Sequence, residues 1–138
     1  MAFFLLSFKN EGKGDYLNGM PLENLEGETR WVEREFFDDG LGGKARPGIC
    51  IIDNPFFVAP ATTSPHDETH NSVMKINKSY PPVLKESPFW VLLGLSVRGG
   101  PSLRHAFVYG QHKGPGVRLP VDVVSDLQKR LRRLYGLE

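Results

Sequence analysis

Cysteine is all but missing: Cys50 is the only one in 138 residues. No internal disulfide can form, and a reducing cytoplasm is the expected setting. Long apolar runs are missing as well. No stretch approaches the roughly 20 apolar residues that a spanning helix needs, so no membrane partner is expected. The opening Met1-Ala2-Phe3-Phe4-Leu5-Leu6-Ser7-Phe8 has no basic start and meets Lys9, Asn10 and Glu11 at once, which argues against a targeting signal. Charge of one sign is also lacking. Lys and Arg number 17 against 16 Asp and Glu, a net charge of +1, so attraction to nucleic acid has to come from local clustering. Neither an internal repeat nor a low-complexity segment is present, and no cofactor is expected.

What remains is ordinary globular material, 40% hydrophobic and 24% charged, at the usual length of one domain. Glycine (15) and proline (11) interrupt one short apolar run after another, the rhythm of strands and turns. Strands are expected over residues 3–8, 29–37, 47–52, 56–60, 73–76, 88–97 and 103–109, with polar loops over 10–28, 38–43 and 64–72. The run Gly48-Ile49-Cys50-Ile51-Ile52 is continuously apolar, as in a central strand buried on both faces. Cys50 therefore reads as an inert buried thiol. The turn Asp53-Asn54-Pro55 should fold this strand back on the next as an antiparallel neighbour. The tail changes period. Val123, Val124, Leu127, Leu131 and Leu134 fall on one helical face, Pro120 suits the start, and Gly136 suits the end. Lys129, Arg130, Arg132 and Arg133 complement the helix dipole there, with RNA contact as the second reading. The expected fold is mostly β with a C-terminal helix, a small SH3-like barrel forming a single domain over residues 1–138. Its parts are an N-terminal strand and loop (1–28), the barrel (29–119) and the helix (120–137).

Two pieces carry chemistry. In Gly42-Gly43-Lys44-Ala45-Arg46-Pro47, a glycine loop delivers an arginine to the lip of the central strand. Arginine stays charged at any working pH and offers a planar fork of donors to a phosphate; a solvated arginine in a turn is the plainer alternative. In Val58-Ala59-Pro60-Ala61-Thr62-Thr63-Ser64, a strand end spills into adjacent hydroxyls that can donate to a phosphate oxygen or merely cap a turn. His66-Asp67-Glu68-Thr69-His70 places two histidines four apart, a zinc spacing on a helix. Here it follows Pro65 in a loop-like stretch with no evident third ligand.

Together the two pieces resemble the MazF/PemK/Kid family of toxin endoribonucleases. There, a strand opened by Arg-Pro and a strand ending Val-Ala-Pro-x-Thr-Ser lie side by side, and a C-terminal helix closes the chain. The resemblance covers roughly residues 40–138 and maps the catalytic pair onto Arg46 and Thr62. Lys44, Thr63, Ser64, Gln111, His112 and Lys113 become candidate substrate-binding residues. It implies an SH3-like barrel of the MazF/PemK type, a homodimer, single-stranded RNA as substrate and an antitoxin protein as partner. It also implies no metal, because the RNA 2′-hydroxyl is the nucleophile. Arg46 is then the phosphate clamp and candidate proton donor, and Thr62 holds a non-bridging oxygen. His105 and His112 are candidates for the general base. Trp31, Phe37 and Tyr109 are candidate base-stacking rings, with core packing the simpler role for most of them. Three departures stand out: Arg46 and Thr62 are unusually close in sequence, glycine (Gly110) follows Tyr109 where an acid is common, and the first 28 residues have no counterpart. The competing expectations are a non-catalytic SH3-like barrel that binds protein or nucleic acid, and a metal-dependent hydrolase built on His66 and His70.

Overall fold

The computed structural model describes residues 24–37, 45–67, 72–110 and 114–137. In chain order they form β1 (Glu28–Val32), β2 (Arg46–Ile52), β3 (Phe56–Thr62), β4 (Val73–Ile76), β5 (Phe89–Leu92), β6 (Val97–Gly99), α1 (Pro101–Tyr109), β7 (Val117–Arg118) and α2 (Val121–Tyr135). The sheet runs β4-β5-β3-β2-β1-β7, with β6 also on β3, and every pairing is antiparallel. It curls into a half-barrel accompanied by the C-terminal helix. The expected first strand, over residues 3–8, lies outside the described residues.

The central hairpin forms as its sequence requires. β2 and β3 pair antiparallel around the Asp53–Pro55 turn, with Gly48 opposite Pro60, Ile49 opposite Ala59 and Cys50 opposite Val58. Both faces are buried. Odd-numbered residues Ile49, Ile51, Phe57, Ala59 and Ala61 join Phe89 and Val91 of β5 and Val124, Leu127 and Leu131 of α2 in one cluster. Even-numbered Cys50, Phe56 and Val58 meet Phe107 and Val108 of α1, with Leu25, Val32 and Phe37, in a second. This is why the run 48–52 has no polar alternation. Gly48 is needed at the crossing: an added Cβ would lie 3.1 Å from Val58 and 3.3 Å from both Phe37 and Val32.

β3 changes partner along one edge. It pairs with β6 at Phe56–Val58 and with β5 at Ala61 and Thr62. Pro60, which has no N–H to give to a ladder, falls in the gap between them.

Three expectations need correction. Residues 103–109 are helix α1 and not a strand. Gly100 and Pro101 open it in the positions a helix start favours. Leu103 and Phe107 lie four apart on the face that meets Phe56, whose ring centroid is 5.8 Å from that of Phe107. The strand expected over 29–37 stops at Val32, and residues Arg34–Phe36 form a 3₁₀ turn. In a strand, Phe36 and Phe37 would point to opposite faces; the turn lets both rings join the cluster around Phe107. The strand expected over 88–97 is broken by a 3₁₀ turn at Leu93–Leu95, which separates β5 from β6.

α2 follows its periodicity. Val124, Leu127 and Leu131 are buried, while Leu134 is off the buried stripe and 38% exposed. Gly136 closes it at φ 66°, the left-handed geometry that glycine takes without strain. Gln128 donates to the Ile51 carbonyl at 2.9 Å and Arg130 to the Val73 carbonyl at 3.0 Å, so one member of the basic cluster ties the helix to β4. Among the described residues, no helix is long and apolar enough to cross a membrane.

Candidate functional site

The hairpin has a closed end at Asp53 and an open end where β2 begins and β3 finishes. The β2–β3 register ends with Gly48 opposite Pro60, and beyond it Arg46 opens β2 and Thr62 finishes β3. β1 lies on the other side of β2, with Trp31 opposite Pro47 and Val32 opposite Arg46. The strands therefore bring the arginine and the hydroxyl residues together, although 15 residues separate Arg46 from Thr62 in the chain.

A cavity of about 280 Å³ opens at this place. Trp31, Pro47, Ala61, Val83, Leu84 and Phe89 make its apolar part, and Arg46, Thr62, Thr63, Ser64, Lys85 and Glu86 its polar part. Strand alternation explains the division. Pro47 and Ala61 share the face of the odd-numbered core residues and reach the cavity from inside. Arg46 and Thr62 are one residue out of phase and meet it where the strands end. An apolar recess carrying a few convergent polar groups is a form that small-ligand sites take.

The hydroxyl run is organised by a local turn. The backbone N–H of Ser64 donates to Thr62 Oγ1 at 3.1 Å. A hydroxyl that accepts in this way keeps its own hydrogen to donate. Thr63 and Ser64 are exposed. His66 is exposed and folds back on the same turn, with Nδ1 2.8 Å from the Ser64 carbonyl oxygen.

The remaining expectations are placed as follows. Lys44, His70, Gln111, His112 and Lys113 lie outside the described residues. His105 sits on α1 with its ring 4.7 Å from that of Tyr109, and neither lines the cavity. Phe37 belongs to the second core cluster. Trp31 is half-buried, packs against the first cluster and lines the cavity. Among the described residues no group of three or more His, Cys, Asp or Glu side chains could hold a metal ion. Cys50 is fully buried, and burial first, then the charges of Asp53 and Glu26, push its thiol far above the usual range. A thiolate nucleophile there is excluded.

Sequence reasoning missed the segment Val83-Leu84-Lys85-Glu86. It folds back through an isolated bridge in which Tyr80 N donates to the Leu84 carbonyl at 2.6 Å and Leu84 N to the Tyr80 carbonyl at 3.0 Å. The signal was present as an apolar pair, Val83-Leu84, set directly against two charges after Tyr80-Pro81-Pro82. Nothing local, however, says that this pair packs beside Pro47 and Ala61.

Comparison with known proteins gives no match, either to a protein-family model or to a curated protein.

Proposed function

We propose that this chain is a MazF/PemK-like, metal-independent endoribonuclease that cleaves single-stranded RNA, on an SH3-like barrel that works as a homodimer in the cytoplasm and is held in check by an antitoxin protein. One observation carries the reading: Arg46 and the Thr62–Ser64 hydroxyls converge on a single open cavity with an aromatic wall. A fixed guanidinium beside neutral donors suits a phosphodiester, and Trp31 beside them suits an unstacked base. An unpaired strand can place a base in such a concave site, whereas a duplex keeps its bases stacked.

The chemistry asked of the protein is modest. The 2′-hydroxyl attacks the neighbouring phosphorus, charge builds on the non-bridging oxygens, and the bond to the 5′-oxygen breaks. Arg46 holds the phosphate and offsets that charge. Thr62 donates to one non-bridging oxygen. A positioned charge-stabilising donor such as Arg46 contributes about 2.7–4 kcal/mol to the transition state.

The test is cleavage of an RNA with an unpaired stretch, with and without excess EDTA, by wild type, Arg46→Ala, Thr62→Val and His66→Ala. Arg46→Ala is expected to lose about 10²–10³-fold. Thr62→Val should lose less, since a neutral hydroxyl contributes less than a fixed charge. Chelator should have no effect. Equal cleavage by wild type and Arg46→Ala overturns the assigned site. Loss in chelator and in His66→Ala points to the metal-dependent hydrolase, and no cleavage by any variant to a binding module.

A further inference from the structure

A 2′-hydroxyl becomes a competent nucleophile when a neighbouring group takes its proton as the bond to phosphorus forms. Neither Arg46 nor Thr62 can do this: a guanidinium has no acceptor, and a threonine hydroxyl is far too weak a base at neutral pH. The same holds for Thr63, Ser64 and the indole of Trp31. Lys85 is an ammonium with three donors and no lone pair to offer. His105 is on α1 and does not line the cavity. Among the described cavity-lining residues Glu86 is the one carboxylate. It is exposed on the segment before β5, and no hydrogen bond or ion pair ties it to another described residue.

We propose that Glu86 is the general base of the cavity, taking the 2′-proton of the ribose whose 3′-phosphate Arg46 holds. This rests on the ribonuclease reading of the same cavity. The proton of the 2′-hydroxyl passes to a Glu86 oxygen, the O2′–P bond forms, and the P–O5′ bond breaks. The products are a 2′,3′-cyclic phosphate and a 5′-oxygen. That oxygen takes its proton from water at the open rim, because arginine does not release its own. Glu86 then returns its proton to solvent, and no oxidant, reductant or metal is required.

Base and clamp stand on different elements. Arg46 and Thr62 come from the ends of β2 and β3, and Glu86 comes from the segment leading into β5, so base and clamp approach the phosphate from separate walls. The charged groups that share the cavity with Glu86 among the described residues are Arg46 and Lys85.

The experiment is a pH–rate profile for RNA cleavage by wild type, Glu86→Gln and Glu86→Asp, together with binding of a non-cleavable 2′-deoxy oligonucleotide. Glu86→Gln is expected to lower kcat about 10²–10⁴-fold and to remove the acidic limb of the profile, with oligonucleotide affinity unchanged or slightly tighter. Glu86→Asp should restore part of the rate and bring the acidic limb back. Wild-type-like cleavage by Glu86→Gln, or an unchanged acidic limb, overturns the assignment while leaving Arg46 and the ribonuclease reading intact. A rate loss matched by equal loss of oligonucleotide affinity also overturns it, since it makes Glu86 a binding residue. Absence of cleavage by wild type, by contrast, defeats the ribonuclease reading and this assignment with it.

Discussion

Removing the Asp53 carboxylate should loosen the closed end of the β2–β3 hairpin without disturbing its open end. Asp53 accepts from Arg104 Nε at 2.7 Å and Nη2 at 3.1 Å, and from the backbone N–H of Leu25 at 3.2 Å. The clasp therefore ties the central turn to α1 and to the segment entering β1. In Asp53→Ala the Leu25 N–H loses its acceptor, and an orphaned donor of this kind costs about 1–3 kcal/mol. The ion pair adds only about 0.5–1 kcal/mol, because the Arg104 side chain is 33% exposed. The expected loss is about 1.5–4 kcal/mol, a fall in Tm of roughly 5–14 °C for a chain of this size. Arg104→Ala should cost less, about 0.5–2 kcal/mol, since Asp53 keeps Leu25 as a donor and is partly reachable by water. The Arg104 guanidinium is raised above its ordinary range, mainly by its hydrogen bond to Asp53. A raised cationic pKa stabilises the fold below the unfolded value and loses that effect only as pH climbs through the folded one, so the clasp should be constant across neutral pH. Urea denaturation of wild type, both single variants and the double variant measures these terms. The proposed RNA cleavage, measured on the folded fraction of Asp53→Ala, should be unchanged, because the turn is roughly 23 Å along β2 from Arg46. A loss below about 0.5 kcal/mol, the threshold for ordinary surface changes, or a larger loss in Arg104→Ala, would refute the reasoning.

Cys50 should resist thiol reagents in the native protein at neutral pH and label only in denaturant; stoichiometric labelling within seconds of mixing would contradict its burial. Because burial raises its pKa, the unfolded chain ionises this thiol before the folded one does, so stability should decline as pH passes the ordinary thiol range of about 8.5. Cys50→Ala should remove that alkaline component, which pH-dependent denaturation can check. Light scattering at micromolar concentration should give twice the 15.5 kDa chain mass, and a purely monomeric particle would count against the proposed homodimer.

Patterns that repeat within a few residues were legible in the sequence. The central hairpin was readable because the 48–52 run, the Asp53-Asn54-Pro55 turn and the following apolar stretch each agree on one local answer. The same is true of α2, whose stripe of Val124, Leu127 and Leu131 is written at helical spacing with proline before and glycine after. Residues 103–109 misled because Phe107, Val108 and Tyr109 favour strands by propensity. The Gly100-Pro101 start and the spacing of Leu103 with Phe107 were the stronger signals, and packing against Phe56 decided the outcome.

Sequence alone thus determined a β-rich chain with a helix at its end, and it marked Arg46 and Thr62–Ser64 as polar groups at the ends of two neighbouring strands. Such facts follow from side-chain period and turn chemistry, which act over a few residues. Tertiary structure decided which surfaces these groups share. Pairing of β1 with β2 set Trp31 beside Pro47, and the ends of β2 and β3 carry Arg46 and Thr62 to one cavity. The fold of the 83–89 segment added Lys85 and Glu86 to the same cavity. Register and cavity depend on contacts between residues distant in the chain, and those contacts exist only once the sheet has curled and buried its two apolar faces.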